Sequence, residues 1–352
     1  MVIETYTGSA ILVQQVSFDE FWARSRFKGI VPGLDLGAQV RQAFVEMEQG
    51  GGFASFLACE YGGKIVGSMV VFKDPWYRSA RRDNVACFGL VTARDASTLA
   101  RLVLVARDVA EKAGCKAVRG PVNVPRIFFG YGIQVSGFGL PVVAGTSINT
   151  SDEATPFLEL DTEDFFDRTD KYYNLSQDFA KTRAYIDTIT LDRNLRIVNP
   201  NLNDPRDIAG GVADMMNRLL GSRPDYQLTS AEKLAAAVNV YKFVPHGEKL
   251  LAFYFDGDEL AGGVIMQPDW FQVFAGVRVS SIVGEIYMLE KKYQGRKLML
   301  NFAEYSEKVL KELGATHYEH ASIWEESGGA LSTVKAGYNA IIKEFRVYEI
   351  VA

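Results

Sequence analysis

The chain has 352 residues, of which 48% are hydrophobic and 23% are charged, a composition typical of folded globular proteins that excludes disordered and fibrous classes. Asp and Glu total 43 against 38 Lys and Arg, so the formal net charge is -5 and no overall positive field exists to hold a nucleic acid backbone. We therefore expect no nucleic-acid partner.

The apolar segments of the sequence predict a protein of the cytoplasm. Residues 1–5 contain neither a basic start nor an apolar run. The most apolar stretch, residues 99–109, is interrupted by Arg101 and Arg107, so we expect no membrane-spanning helix and no membrane partner. Three cysteines lie in apolar segments without CxxC spacing, which indicates buried, reduced thiols and no zinc site. They are Cys59, Cys87 and Cys115.

An aromatic-rich strand, a glycine turn and a second apolar strand occur twice along the chain. The first pair turns at Gly63 and ends near Trp76, and the second turns at Gly257 and ends near Trp270. The two glycines are separated by the same number of residues as the two tryptophans, which indicates an internal duplication. We therefore expect an N-terminal domain of residues 1–190 and a C-terminal domain of residues 191–352.

Each copy continues with a strand, an amphipathic helix and a further strand. The strand and helix run from Gly89 to Gly114 in the first copy and from Gly284 to Gly314 in the second, and each closing glycine suits a helix C-cap. This order predicts an α/β (α+β) fold. Between the copies we expect a closing strand at residues 183–189, followed by helices at residues 212–220 and 231–240.

The second copy is longer than the first at the junction between strand and helix. Residues 291–297 form a basic loop that contains glycine and leads into a helix N-terminus, where backbone N–H groups and the helix dipole favour an anion. The matching stretch of the first copy places Asp95 or Ser97 as a helix N-cap. We therefore expect an anion site in the second copy.

This order of elements resembles the GNAT acetyltransferase fold, and the whole chain resembles a tandem GNAT protein. Residues 120–123, 323–326 and 345–349 are similar to those of a group of two-domain bacterial GNAT proteins. The resemblance implies two GNAT-like domains, each a mixed, mostly antiparallel sheet flanked by helices. It also implies acetyl-CoA, or another acyl-CoA, as a co-substrate and no metal. The first copy lacks the CoA loop, so the resemblance implies that it is a non-catalytic partner.

The resemblance points to a loop that reads Gln/Arg-x-x-Gly-x-Gly/Ala, whose amides hold the pyrophosphate of acetyl-CoA. Gln294 matches its first position, whereas Lys297 and Met299 stand where small residues let the backbone approach phosphate. The cofactor-binding residues that the resemblance implies lie on the loop and the elements beside it. They are Leu289, Gln294, Gly295, Arg296, Lys297, Leu298 and Met299.

Acyl transfer from a thioester to an amine needs a neutral amine, a polarised carbonyl and a proton for the departing thiolate. Glu285 lies where GNAT proteins often carry a Glu that takes the amine proton through water, and the alternative is a solvated strand-edge carboxylate. Tyr287 is expected on the same side of the strand, where it lines the acceptor pocket or packs. Thr333 stands nearest the tyrosine that protonates the thiolate in relatives. Glu285 and Tyr287 are thus the candidate catalytic residues.

Three further residues are candidates for binding the acceptor. His317 and Glu319 share one face of a strand, with Tyr318 and His320 on the other, and they act as titrating groups or as ordinary strand residues. Asn123 lies in a segment rich in proline and aromatic residues, which closes over an acceptor or fills a buried space. No third ligand stands at a recognisable spacing for a metal.

The leading interpretation is an N-acyltransferase that moves an acetyl group from acetyl-CoA to a small-molecule amine or a peptide. The alternative is a degenerate tandem GNAT protein that binds a small ligand or a protein partner without catalysis. A third interpretation, aminoacyl transfer of the kind done by tandem GNAT-fold peptidyltransferases, needs a tRNA surface that this acidic chain does not offer.

Overall fold

The chain forms two compact units in the computed structural model. The first unit comprises Met1–Tyr173 with Lys343–Ala352, and the second comprises Asn174–Ile342. From the sequence, the first copy is expected to end at residue 190 and the second to start at residue 191, and this boundary stays a prediction. The structure describes residues 11–30, 35–78, 84–162, 165–189, 194–294 and 297–352, and the statements below concern these residues.

The first unit is built on a mixed sheet. The sheet contains β1 (Ile11–Val16), β2 (Phe53–Tyr61), β3 (Lys64–Lys73), β5 (Val85–Ala93), β6 (Ala117–Gly120), β7 (Ile133–Ser136), the start of β8 (Arg168–Gln177) and the end of β15 (Asn339–Val351), and β4 (Tyr77–Arg78) lies outside it. β1, β2, β3 and β5 are antiparallel neighbours, β5 pairs with β6 in parallel, and β6 pairs antiparallel with β15. β7 also pairs with β15.

Helices cover the first sheet, and side chains cap the N-termini of three of them. They are α1 (Phe18–Arg24), α2 (Gly37–Gln49), α3 (Ala96–Lys112), α4 (Arg126–Phe129) and α5 (Ser151–Leu160). Ser17 and Thr150 form capping boxes at the starts of α1 and α5. α3 connects β5 to β6, and its buried apolar stripe, which includes Leu102 and Ala106, joins the main core of the unit.

The second unit repeats this arrangement. Its strands are β9 (Arg196–Val198), β10 (Tyr226–Gln227), β11 (Leu251–Asp256), β12 (Glu259–Pro268), β13 (Ser281–Leu289) and β14 (His317–Trp324). Its helices are α6 (Phe179–Ile186), α7 (Arg206–Leu220), α8 (Ala231–Asn239), α9 (Trp270–Phe274), α10 (Leu298–Leu313) and α11 (Gly328–Lys335). β9, β11, β12 and β13 are antiparallel neighbours, and β13 pairs with β14 in parallel.

The duplication predicted from the sequence is confirmed by the matching order of elements. The hairpin turns at Gly63 and Gly257 join β2 to β3 and β11 to β12. Each hairpin leads to a parallel strand pair connected by a helix, α3 in the first unit and α10 in the second. Gly314 closes α10 with φ of 68°, a left-handed conformation that glycine adopts readily. The mixed α/β class is therefore confirmed.

Residues 183–189 were expected as a closing strand, and this prediction is wrong. Most of them belong to α6, whose N-cap Asp178 accepts a hydrogen bond from the backbone N–H of Lys181 at 2.9 Å. Alanine, lysine and arginine favour a helix here, and the cap satisfies an otherwise unpaired N–H group.

The three cysteines are buried and free, as expected. No helix in the described parts of the chain is both long enough and apolar enough to span a bilayer. The described residues also contain no cluster of three or more His, Cys, Asp or Glu side chains arranged to hold a metal ion.

Candidate active site

A β-bulge in β13 determines the geometry of the strand that enters the basic loop. The pairing of β12 with β13 shifts by one residue, and Glu285 is the inserted residue. Glu285 is exposed, and its carboxylate accepts a hydrogen bond from Nε2 of Gln267. Tyr287, by contrast, has its hydroxyl bonded to that of Tyr318.

The bulge also places the two candidate catalytic residues on different faces of the sheet. Gln267, which donates the hydrogen bond to Glu285, is paired with Val283 across the two strands. The side chains of Gln267 and Val283 therefore lie on the same face of the sheet. Tyr287 shares a face with Gly284, because a Cβ on Gly284 would lie 2.8 Å from the Tyr287 hydroxyl. The expectation that Glu285 and Tyr287 face the same side is therefore wrong, since a bulge interrupts the alternation of side chains.

Two tyrosine hydroxyls meet at the point where β13 faces α10. The ring of Tyr287 lies 6.4 Å from that of Phe302, measured between centroids, and the fully buried Ser306 lies beside both hydroxyls. Burial raises the pKa of Tyr287 and raises the pKa of Tyr318 well above its ordinary value. Both phenols are therefore neutral hydrogen-bond donors at physiological pH.

His320 contacts both tyrosines from β14. Its ring centroid lies 5.0 Å from that of Tyr287 and 5.1 Å from that of Tyr318, and its Nε2 lies 2.8 Å from Oε1 of Gln177. Burial lowers the pKa of His320 to about 4, so the imidazole is neutral at physiological pH. Tyr287, Tyr318, His320 and Ser306 together form what we call the hydroxyl cluster.

His317 and Glu319 lie on the other face of β14, which confirms the predicted alternation. Glu319 is fully buried, and its Oε1 accepts a hydrogen bond of 3.1 Å from Nδ2 of Asn174. Nε2 of His317 lies 3.5 Å from the other carboxylate oxygen. This pair is separated by the strand from the hydroxyl cluster, and its role in binding an acceptor stays a prediction.

β13 extends beyond its pairing with β14. In the described residues the parallel pairing ends at Gly284, whereas β13 continues to the half-buried Leu289. On β14, Ser322 has φ of 61° and donates its backbone N–H to Oδ1 of Asn174 at 3.0 Å. Residues 286–289 therefore present an edge on the β14 side that no described strand covers. We call this stretch the β13 edge.

The N-terminus of α10 follows the β13 edge across the basic loop. Lys297 precedes the helix with φ of 62°, and no side chain of the described residues caps the first turn. Leu298 is buried, whereas Gln294, Lys297 and Met299 are exposed, so the Met299 side chain points away from the core. Gly295 and Arg296 lie outside the described residues.

Solved structures share this architecture over the whole chain. A tandem GNAT protein from the clavulanic acid biosynthesis pathway has a TM-score of 0.54 at 12% identity, covering 97% of this chain and 98% of that one. A GCN5-related N-acetyltransferase from Sphaerobacter thermophilus has a TM-score of 0.52 at 10% identity, covering 98% and 96%. The chain has the tandem GNAT fold. No protein-family model matches the sequence, and no curated protein matches it.

In the first GNAT unit a side chain caps the N-terminus of α3, whereas in the second no described side chain caps the N-terminus of α10. Asp95 caps α3, accepting hydrogen bonds from the backbone N–H of Thr98 at 2.8 Å and from its hydroxyl at 2.7 Å. These bonds hold the pKa of Asp95 below its ordinary value, so the cap is negatively charged at neutral pH. The predicted cap is confirmed, and its charge disfavours a phosphate at this helix.

In the first GNAT unit β5 also has a bulge, in its pairing with β3, and Asn123 binds the backbone beside it. The Oδ1 atom of Asn123 accepts a hydrogen bond of 2.8 Å from the N–H of Leu90, which has φ of 48° in β5. Its Nδ2 atom donates to the carbonyl oxygen of Phe129 at 2.9 Å. The buried amide is thus engaged with backbone groups, which favours the packing interpretation of this segment over binding of an acceptor.

Sequence reasoning missed Tyr318, His320 and Ser306 as members of the site. Strand alternation placed Tyr318 and His320 on one face, but it did not show which other element that face meets. Parallel pairing of β14 with β13 brings the face against Tyr287, and Ser306 arrives from α10. Thr333, expected from the sequence to stand nearest the tyrosine of GNAT proteins, accepts a hydrogen bond from Asn339 at 2.8 Å.

Proposed function

We propose that the second unit binds an acyl-CoA and transfers its acyl group to an amine, and that the first unit is a non-catalytic copy. The observation that carries this proposal is the contrast between the two strand-to-helix junctions. α3 has the carboxylate of Asp95 at its N-terminus, whereas α10 has no side-chain cap in the described residues and is preceded by Lys297. A pyrophosphate is repelled by the first arrangement and attracted by the second.

The residues of the second unit fit the parts of an acyl-CoA. The N–H groups of the first turn of α10 and the ammonium group of Lys297 suit the phosphates. The β13 edge offers backbone donors and acceptors to an extended chain carrying amide groups, in the way that an added strand would use them. Met299 is exposed and leaves the approach to the helix terminus open.

Acyl transfer then requires proton handling by the protein's own residues, since the thioester supplies the activated carbonyl. Glu285 accepts the amine proton, directly or through water, and Gln267 orients its carboxylate. On the opposite face, the neutral hydroxyls of Tyr287 and Tyr318 act as hydrogen-bond donors toward developing negative charge. The acceptor is a small-molecule amine or a peptide.

The proposal is tested by calorimetric titration with acetyl-CoA and with CoA. A Lys297→Asp variant gives α10 the kind of acidic cap that α3 has, and a Lys308→Asp variant makes the same charge change near the far end of the same helix. We expect Lys297→Asp to weaken binding about tenfold, through the lost cation and the added anion, and Lys308→Asp to bind like the wild type. Equal binding by both variants would refute the assigned site.

Catalysis is tested separately from binding by release of free CoA in a panel of amines. A thiol reagent detects the product, and the three buried cysteines give little background. Acyl transfer should fall at least tenfold in a Glu285→Gln variant that still binds acetyl-CoA. Binding of acetyl-CoA without turnover of any amine would instead support the second candidate function, a GNAT-fold protein that binds its ligand without chemistry. That candidate is favoured by Lys297 and Met299 in the places of small residues.

A further inference from the structure

The inner end of the β13 edge is closed by the hydroxyl cluster. Followed inward from Leu289, β13 reaches its pairing with β14 at Gly284. An extended ligand that lies along residues 286–289 therefore has about 13 Å of strand to follow before β14 blocks it. At that point the hydroxyls of Tyr287 and Tyr318 lie over Gly284, and the imidazole of His320 lies beside their rings. An acyl-CoA anchored at the N-terminus of α10 therefore presents its acyl end to these three side chains.

Neighbouring side chains pack around the cluster, in which Tyr287, Tyr318 and His320 are half-buried. Phe179 lies 5.5 Å from the ring of Tyr318, Phe302 lies 6.4 Å from the ring of Tyr287, and Gln177 contacts His320. Gly284 provides the space beneath both hydroxyls, because even a Cβ there would meet them at 2.4 and 2.8 Å. A longer acyl chain has to displace a ring and separate the two bonded hydroxyls.

We propose that the hydroxyl cluster restricts the acyl donor to short-chain acyl-CoAs, such as acetyl-CoA. This inference rests on the proposed function and adds the class of acyl group. Displacing a buried phenol from its hydrogen bond is unfavourable, because the oxygen loses its partner away from water. The rings of Tyr287 and Tyr318 are thus the residues that determine acyl-chain specificity.

The restriction is tested by titrating the wild-type protein with CoA, acetyl-CoA, butyryl-CoA and octanoyl-CoA. We expect acetyl-CoA to bind at least tenfold more tightly than octanoyl-CoA, with butyryl-CoA between them. A Tyr287→Ala variant should bring the affinities of acetyl-CoA and octanoyl-CoA within about threefold of each other, because it opens the inner end. Tyr318→Phe retains the ring but removes the hydroxyl partner of Tyr287, so it should narrow the difference less than Tyr287→Ala does.

A matched control is Tyr185→Ala, which removes an exposed tyrosine of α6 from the same unit and should leave the order of affinities unchanged. Normal binding of CoA together with equal affinities for acetyl-CoA and octanoyl-CoA in the wild type would overturn the restriction alone. Failure of the wild type to bind CoA at all would overturn the proposed function, and the restriction with it. The wild-type series decides between these results even if Tyr287→Ala does not fold.

Discussion

A Cβ atom on Gly284 would lie 2.4 Å from the hydroxyl oxygen of Tyr318. Real side chains do not approach this closely, so Gly284→Ala has to push Tyr318 and its partner Tyr287 out of place. We expect this substitution to lower the free energy of unfolding by about 1 to 3 kcal/mol, as overpacking of a core does. Urea denaturation measures the change.

Gly210→Ala is the matched control for this prediction. Gly210 lies inside α7, and an added Cβ there meets no atom within 4 Å. Alanine favours a helix over glycine, so we expect Gly210→Ala to raise the free energy of unfolding by about 0.5 to 1 kcal/mol. A Gly284→Ala protein as stable as wild type would show that the tyrosine pair does not need this glycine.

Burial of His320 makes the stability of the protein depend on pH. Its pKa is about 4 in the folded state, below the ordinary value of 6.5, so between these values the unfolded chain binds more protons. Its contribution is therefore fully present above about pH 6.5 and is lost as the pH falls toward 4. The full loss is about 3 kcal/mol.

The contribution of His320 is isolated by comparing two glutamine variants across this pH range. His320→Gln should make the free energy of unfolding less steep between pH 6.5 and 4, whereas Asn203→Gln, at an exposed position, changes no titrating group and should leave the slope unchanged. Chemical-shift titration of the imidazole gives the pKa directly. A His320 pKa near 6.5 in the folded protein would contradict the prediction.

The Asp95 cap stabilises α3 in the first unit. Asp95→Ala removes the acceptor for the N–H and hydroxyl groups of Thr98, and we expect a loss of about 1 kcal/mol. Since the pKa of Asp95 is lowered, this difference from the wild type should shrink as the pH falls through that pKa. Thermal unfolding checks it, with Asp152→Ala in the first turn of α5 as the control. Equal effects of the two substitutions would exclude a specific capping role.

Replacing Asn123 separates its structural role from the acceptor-binding role expected from the sequence. Asn123→Ala leaves the N–H of Leu90 and the carbonyl of Phe129 without their side-chain partner, so we expect a loss of about 2 to 4 kcal/mol of stability. Asn123→Asp keeps the acceptor for the Leu90 N–H but sets a buried carboxylate against the carbonyl oxygen of Phe129, so its loss should be at least as large. With an amine identified by the screen, the KM for that amine should not change in the Asn123→Asp variant. A raised KM with unchanged stability would restore the binding role.

Local signals in the sequence determined the units of the fold. The repeated glycine turns, the apolar stripes of α3 and α10, the Asp95 cap and the closing Gly314 each depend on neighbours a few residues away. Such short-range preferences can be recognised directly in a sequence. The same reasoning was wrong at residues 183–189, where the Asp178 cap and helix-favouring residues form α6.

The candidate site was decided by tertiary structure, because its members come from separate elements. One inserted residue in β13 turns Glu285 away from Tyr287, and no local preference announces a bulge that depends on pairing with β12. The parallel register of β13 with β14 then brings Tyr318 and His320 to Tyr287. The sequence by itself determined two copies of one GNAT-like pattern and an open helix terminus in the second. The meeting of the hydroxyls depends on long-range strand pairing, which single-residue patterns do not encode.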